Sequence, residues 1–271
     1  MSYILAATDN STTSANAVTY AAALAMRHQM SLVLLHSFVF PVATNDMPMP
    51  ASVVEDTRAD AEKALRATVE KLESSHPGIQ ISAEVAYGNF LDSIHHYADT
   101  HGAPWMLVMG NSNTQEDSAW FFSTLKNASK AFHFPVLAVP FVATYKDVQK
   151  ICYADDIEQK EHAHALDALR DITLRYGAEL HVLNVQEDAS LHDEAYDVGD
   201  LTKELLADTN PSYHYRHMAN VNESIHLFCQ HEQIDWLVLM PGEYSFFEGL
   251  FHKSHTKALA QAMDIPILLL H

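Results

Sequence analysis

Length, composition and charge limit the classes of protein to which this chain can belong. It has 271 residues, of which 48% are hydrophobic, so it can form one large or two compact domains and is too apolar for a disordered chain. Its net charge is -19, with 8 Lys and Arg against 14 Asp and Glu in residues 1–147 and 8 against 21 in residues 148–271. Because no basic cluster is present, we expect neither nucleic acids nor membranes as partners.

The N-terminal sequence and the cysteines indicate the cellular compartment. Residues 1–10 lack a basic segment followed by an apolar core, and no apolar run approaches the roughly 18 residues of a membrane span, so we expect a cytoplasmic protein. Cys152 and Cys229 have apolar neighbours, which favours reduced packing residues over a disulfide or a metal site. No spacing among the 18 histidines matches a zinc pattern, so we predict no metal.

The first half of the chain predicts alternating strands and helices. A short apolar run at 3–8 stops at a polar turn that contains Asp9, and Ser14 is the predicted N-cap of the helix that follows. In chain order, strands are predicted at 3–8, 31–40, 79–88, 105–110 and 135–140, and helices at 14–28, 52–75, 91–101 and 120–133. Apolar strands that alternate with helices are typical of a parallel sheet covered on both faces.

The same order of elements restarts in the second half, where Asp155 mirrors Asp9. Strands are predicted at 147–154, 179–188, 212–218, 235–240 and 265–271, and helices at 161–176, 198–207, 222–231 and 253–263. We therefore predict an α/β protein with two tandem domains, 1–143 and 147–271. Each should contain a five-stranded parallel sheet with helices on both faces.

The motifs of both halves resemble those of the universal stress protein family. The first half carries AATDNS, LLHSF, LVMG and PVLAVP, and the second carries CYADD, LHVLNV, LVLM and PILLLH. The segment SFFEGLFHKSHTK at 245–257 resembles tandem members of Bacteroidetes-type bacteria. The resemblance implies two Rossmann-like, adenine nucleotide alpha hydrolase-like domains. It also implies a role in the bacterial stress response through binding, without catalytic residues or enzyme activity.

The resemblance further implies a nucleotide site, because ATP-binding members use the first-strand aspartate and a G-x2-G-x9-G-[ST] loop. In the first half it assigns the candidates Asp9, Ser37, Gly110, Asn113, Ser123 and Thr124, with ATP or AMP as ligand. In the second half the weaker nucleotide or anion candidates are Asp155, Lys253 and Ser254. Both loops are degenerate, since Asn113 and Ser123 replace glycines in the first half and Met240, Glu243 and Lys253 do so in the second.

Each candidate also has an ordinary structural interpretation. The two aspartates equally serve as turn or capping residues, Gly110 as a turn residue, the hydroxyl residues as helix N-caps and Lys253 as a solvated side chain. We predict a non-catalytic binding protein with degenerate nucleotide loops and no certain cofactor. The alternative is an ATP or AMP sensor that uses the first half only.

The partners expected from the sequence are other proteins and the chain itself. The two closing strands should pair with each other within one chain, which protects two apolar edges. A homodimer and an unknown protein partner are further expectations. The aromatic segments 120–125 and 245–251 either cap the sheet as core residues or, if they are exposed, mark the surface for that partner.

Overall fold

The computed structural model describes residues 2–39, 51–111, 127–128, 131–155, 163–186, 200–218, 220–240 and 264–271. The chain divides into two compact units, Met1–Asn111 and Ser112–His271. This division groups the closing strand of the first repeat with the second unit. The domains 1–143 and 147–271, which follow the sequence repeat, stay a prediction.

The first unit contains a parallel sheet of four strands with helices between them. Its elements are β1 (Tyr3–Ala7), α1 (Thr12–His28), β2 (Ser31–Phe38), α2 (Ala51–Ser75), β3 (Ile81–Tyr87), α3 (Phe90–His101) and β4 (Met106–Asn111). The strand order is β3-β2-β1-β4, with parallel pairing throughout. The chain runs outward to β3 and then returns to β4, so right-handed crossovers place α3 on the face opposite α1 and α2. This confirms the predicted α/β fold.

Burial follows the position of each strand in this sheet. Every residue of the central strand β1 is buried, because helices cover both of its faces. The alanine-rich side of α1 packs on β1 and β4. The edge strand β3 is largely exposed or half-buried.

The second unit has a larger sheet with one antiparallel pair. Its elements are β5 (Val136–Pro140), β6 (Lys150–Asp155), α4 (Ala163–Tyr176), β7 (Glu179–Gln186), α5 (Asp200–Leu206), β8 (Ser212–His217), α6 (Val221–Glu232), β9 (Trp236–Leu239) and β10 (Ile267–Leu269). The strand order is β5-β10-β9-β6-β7-β8. The strands β5 and β10 pair antiparallel, with Ile267 opposite Ala138, and both are fully buried. Two apolar edges are thereby removed from solvent.

The predicted helices and strands that fall on described residues are confirmed to within a few residues at their ends. The predicted N-cap of α1 is wrong. Ser11 holds that position, and its side chain accepts a hydrogen bond from the backbone N-H of Ser14, which lies in the first turn. Within the described ranges, no helix combines the length and apolarity needed to cross a membrane.

Candidate functional site

The candidate site of the first unit lies at the carboxyl ends of β1 and β4. These strands are neighbours in the sheet. From β1 the chain continues to β2 and β3 on one side of β1, and it then returns to form β4 on the other side. In open parallel sheets, such a topological switch point leaves a crevice in which ligands bind. We call residues 8–14, which link β1 to α1, the β1–α1 corner.

Side chains of the β1–α1 corner hold it in one conformation. The Oδ1 of Asp9 accepts a hydrogen bond of 2.9 Å from the backbone N-H of Ser11. The Oγ1 of Thr8 lies 3.0 Å from the Oγ of Ser14 and accepts a bond of 3.1 Å from the N-H of Asn10. Asn10 has a φ of 63°, a left-handed conformation that asparagine tolerates better than most residues. The corner is therefore organised before any ligand binds.

The carboxyl group of Asp9 is exposed and is held in its ionised form. Partial burial alone would raise its pKa, but hydrogen bonds from Ser11 and Ser14 outweigh this effect and lower the pKa below its ordinary value. Asp9 therefore presents an anionic hydrogen-bond acceptor to solvent at the switch point.

Gly110, near the end of β4, is required by the packing of α1. A Cβ atom at this position would lie 2.9 Å from the carbonyl oxygen of Thr13 and 3.3 Å from the Cα of Ser14. Both neighbours are backbone atoms of the first helical turn, so they cannot rotate away. Close contact between strand and helix is sufficient reason for this glycine. Asp9 and Gly110 thus meet the same turn of α1.

Two aromatic side chains and a histidine lie at the carboxyl ends of β2 and β3. The Nδ1 of His36 lies 2.8 Å from the carbonyl oxygen of Thr8 and, as a carbonyl only accepts, donates to it. The ring of His36 stacks on Phe38 at 6.5 Å, and Phe38 meets Tyr87 edge-on at 5.7 Å. The Tyr87 side chain is 70% exposed. None of these three residues is among the candidates predicted from the sequence.

Ser37, a candidate from the sequence, lies on the opposite face of β2. Alternation along a strand directs its side chain away from that of His36. It is half-buried and lies opposite Ala86 of β3. The same period of two, applied to LLHSF, could have identified His36 and Phe38 as neighbours on one face.

In the second unit, the strand register changes the position that corresponds to Asp9. The Nδ2 of Asn184 donates a bond of 3.0 Å to the carbonyl oxygen of Asp155, just as His36 donates to the carbonyl of Thr8. Asp155 therefore corresponds to Thr8, and its predicted correspondence to Asp9 is wrong by one residue. The sequence position that corresponds to Asp9 is Asp156, which lies outside the described residues.

The side chain of Asp155 is engaged within the protein. Asp155 is buried, and its Oδ1 accepts a hydrogen bond of 2.9 Å from the hydroxyl of Tyr153, two residues earlier on the same face of β6. At the end of β9, Met240 is also buried. An internal hydrogen bond and a buried methionine thus occupy two of the positions assigned to a second nucleotide site.

The remaining candidates lie outside the described residues. They are Asn113, Ser123, Thr124, Lys253 and Ser254, together with the aromatic segments 120–125 and 245–251. In the part of the chain that is described, no three His, Cys, Asp or Glu side chains converge as metal ligands.

Comparison with known proteins identifies the family of this fold. The model of the universal stress protein family matches residues 1–140, slightly more than half of the chain. No curated protein sequence matches the chain.

Solved structures resemble the chain over its full length at low sequence identity. A universal stress protein from Archaeoglobus fulgidus DSM 4304 is 15% identical, with coverage of 99% of this chain and 95% of its own and a TM-score of 0.68. A putative universal stress protein from Pseudomonas aeruginosa UCBPP-PA14 is 15% identical, with coverage of 99% and 92% and a TM-score of 0.55. A universal stress protein in complex with cAMP aligns with 51% of this chain at 19% identity and a TM-score of 0.41, too low to transfer its ligand. The chain belongs to the universal stress protein family.

Proposed function

We propose that this chain is a non-catalytic binding protein of the bacterial stress response, and that the first unit alone binds an adenine nucleotide. The observation that carries the proposal is the ionised, exposed carboxylate of Asp9 at the topological switch point. We also propose a cytoplasmic location and a tandem organisation like that of members from Bacteroidetes-type bacteria.

The chemistry of Asp9 suits the nucleoside part of a nucleotide. A carboxylate repels phosphate, but it accepts hydrogen bonds from ribose hydroxyls and from the amino group of adenine. The first turn of α1, which begins beside Asp9, contributes the positive end of the helix dipole. The exposed ring of Tyr87 provides an aromatic face on the same edge of the sheet.

The lowered pKa of Asp9 supports binding without catalysis. A carboxylate with a low pKa is a weak base and removes protons poorly from water or from a hydroxyl group. The side chain is better suited to accept a hydrogen bond.

The second unit is the weaker candidate for nucleotide binding. Asp155, at the position of Thr8, is buried and bonded to Tyr153, and Met240 is buried where the first unit has Gly110. The sequence also places Glu243 in a loop position where a carboxylate would repel phosphate. We therefore propose that its nucleotide loop is degenerate.

A second candidate function is protein binding at the same edge of the first unit. Val39 is 63% exposed and directly follows Phe38, which lies opposite the exposed Tyr87 of β3. Exposed apolar side chains next to a ligand crevice favour a protein partner or a second copy of the chain. This function would replace nucleotide binding if both loops are inactive.

Calorimetric titration with ATP, ADP and AMP, with and without magnesium, tests the proposal. We expect Asp9→Asn to weaken binding by about tenfold or more, because one charge-assisted hydrogen bond is worth roughly 1.5–3 kcal/mol. Asp156→Asn, at the sequence position of the second unit that corresponds to Asp9, is the matched control and should leave binding unchanged if the first unit alone binds the nucleotide. Wild-type chain that shows no heat with any nucleotide would favour the protein-binding function. An equal loss in both variants would refute the assignment to the first unit.

A further inference from the structure

The two cysteines of the chain meet inside the second unit, although 77 positions separate them in the sequence. Cys152 lies on β6 and Cys229 on α6, and both are free thiols buried in the protein. The Cys229 thiol is near enough to that of Cys152 to contribute, after burial, to the raised pKa of Cys152. The sequence predicts reduced packing residues at both positions, because nothing in their spacing indicates that they meet.

The packing of α6 on the sheet explains why the thiols meet. Cys152 lies opposite His181 on the neighbouring strand β7. The ring of His181 meets the ring of Phe228 edge-on at 6.0 Å. Phe228 directly precedes Cys229, and both belong to the buried side of α6. Strand register and helix packing therefore place both cysteines in the layer between β6 and α6.

We propose that Cys152 and Cys229 form a reversible intramolecular disulfide when the chain meets hydrogen peroxide, and that this bond fixes α6 to β6. The inference concerns the second unit and does not depend on nucleotide binding by the first. A metal site is a poorer interpretation. His181 lies beside the pair, but no three potential ligands converge within the described ranges.

The reaction balances with one peroxide molecule for each disulfide. The thiolate of one cysteine attacks a peroxide oxygen, so that an S–O bond forms, the O–O bond breaks and the departing hydroxide takes a proton to become water. The second thiolate attacks the resulting sulfenic sulfur, so that the S–S bond forms, the S–O bond breaks and a second water leaves. The two sulfurs lose two electrons and the peroxide gains them.

Burial determines which cysteine reacts first and what controls the rate. Cys152 is 0% exposed and Cys229 is 5% exposed, so peroxide reaches Cys229 first. Burial also raises the pKa of Cys152 well above its usual range, which keeps it as the less reactive thiol until α6 moves. The rate of oxidation should therefore follow the opening of α6.

A bond between the two thiols requires α6 to move towards β6. A disulfide is about 2 Å long, and it requires the two Cα atoms to approach within about 7 Å. Since strand register and helix packing already place both cysteines between β6 and α6, side-chain rotation and a shift of α6 supply the rest. The central strand β6 is held between β7 and β9, so we expect the helix to shift rather than the strand.

The experiment treats the full-length chain with hydrogen peroxide, unfolds it in the presence of an alkylating agent and measures intact mass and tryptic peptides. We expect loss of both alkylation sites, a mass lower by two hydrogens, one peptide pair cross-linked through Cys152 and Cys229, and reversal by a dithiol reductant. Urea below the global unfolding transition should accelerate the reaction by about tenfold or more.

Three outcomes would overturn the inference. They are oxygen adducts without a cross-link, disulfides between separate chains, and two alkylated thiols after prolonged oxidation in sub-denaturing urea. In Cys152→Ser, oxidation should stop at the sulfenic acid of Cys229, without a cross-link. If that variant does not fold, the cross-linked peptide from the wild-type chain decides alone. A failed nucleotide titration leaves this result unaffected, because the thiols lie in the other unit.

Discussion

The strands β1 and β6, which correspond in the two units, end on the same backbone contact but with different side chains. His36 donates to the carbonyl of Thr8 in the first unit, and Asn184 donates to the carbonyl of Asp155 in the second. The hydroxyl of Thr8 then binds within the β1–α1 corner, whereas the carboxylate of Asp155 binds Tyr153. The backbone frame is thus shared, while the side chains that could meet a ligand are oriented differently.

The two units also differ at the beginnings of β1 and β6. The N-H of Trp105 donates to the carbonyl of Tyr3 at 2.8 Å, and the N-H of Asp235 donates to the carbonyl of Lys150 at 2.9 Å. In the first unit the Trp105 ring packs against His28 at 4.9 Å. In the second, a buried carboxylate replaces the ring. At this position the first unit has a contact between two aromatic rings, and the second has a charged side chain.

The largest effect is expected from Asp235→Ala. The Oδ2 of Asp235 accepts from the N-H groups of Gln149 at 2.7 Å and of Lys150 at 2.9 Å, and its Oδ1 pairs with the Lys146 ammonium. Removal of the carboxylate leaves backbone donors without this acceptor and should reduce the stability of the second unit by about 2–4 kcal/mol. Hydrogen exchange of β6 and β9 peptides measures the loss.

Asp171→Ala is the control for that change, because the Asp171 side chain is 76% exposed and makes only a surface contact of 3.7 Å with Arg170. Such contacts contribute about 0–1 kcal/mol. If both variants lose the same small amount of stability, the hydrogen bonds accepted by the Asp235 carboxylate do not stabilise β6.

A smaller effect is expected at the end of β4, where the two units also differ. Ala6 and Tyr153 are equivalent positions, because each lies two residues before the equivalent pair Thr8 and Asp155. Val108 lies opposite Ala6 and Val238 opposite Tyr153. Gly110, two residues after Val108, therefore corresponds to Met240, two residues after Val238. Gly110→Ala forces its new methyl group against the backbone of Thr13 and should cost about 1–3 kcal/mol. The first turn of α1 should then exchange its amide hydrogens faster.

Gly78→Ala separates packing from backbone strain. Gly78 has a φ of +91°, and an added Cβ would meet no neighbour within 4 Å. That variant should lose about 1 kcal/mol through strain and leave the first turn of α1 unchanged. Equal exchange in α1 for the two variants would contradict the close contact at Gly110.

The sequence predicts the order and type of the described elements because their apolar periodicity is strong. The sequence motif aligns Asp155 with Asp9, one residue away from the correct alignment with Thr8, because Asp155 and Asp156 both fit the motif. Only the pairing of β6 with β7 distinguishes them. Cys152 and Cys229 are far apart in the sequence, and no pattern in the residues around either one indicates the other. Their proximity therefore cannot be predicted from the sequence.

The histidines show the same limit. Alternation along a strand places the side chains of His214 and His217 on opposite faces of β8, so the sequence offers neither a partner on its own strand. In the structure, the Nε2 of His214 lies 3.0 Å from the Nδ1 of His181 on β7, and the two rings stack at 5.2 Å. The ring of Phe228 on α6 lies 4.7 Å from His214. A histidine pair therefore packs between the sheet and α6.

The smallest effect is a pH dependence that should be confined to the second unit. The first unit has Val33 where the second has His181, since Val33 lies opposite Leu5 and His181 opposite Cys152. Burial lowers the pKa of His181, and burial together with the neighbouring histidine lowers that of His214.

The sign of the effect follows from these lowered pKa values. Below about pH 6.5 His181 and His214 bind protons more readily in the unfolded state than in the folded state. The pair's contribution is thus complete above that pH and decreases as the pH falls towards the folded pKa values. The carboxylates of Glu179 and Glu232 offset part of the change, so we expect it to be modest.

His181→Val, which places the residue of the first unit in the second, should reduce this acid sensitivity. The measurement is hydrogen exchange of β7, β8 and α6 at pH 7 and pH 5, corrected for the intrinsic rate, with β2, β3 and α3 as internal reference. We expect the wild-type second unit to lose protection relative to the reference at pH 5, and the variant to lose less. If acid weakens both units equally, general charge effects are responsible, because the first unit has no histidine at the corresponding position.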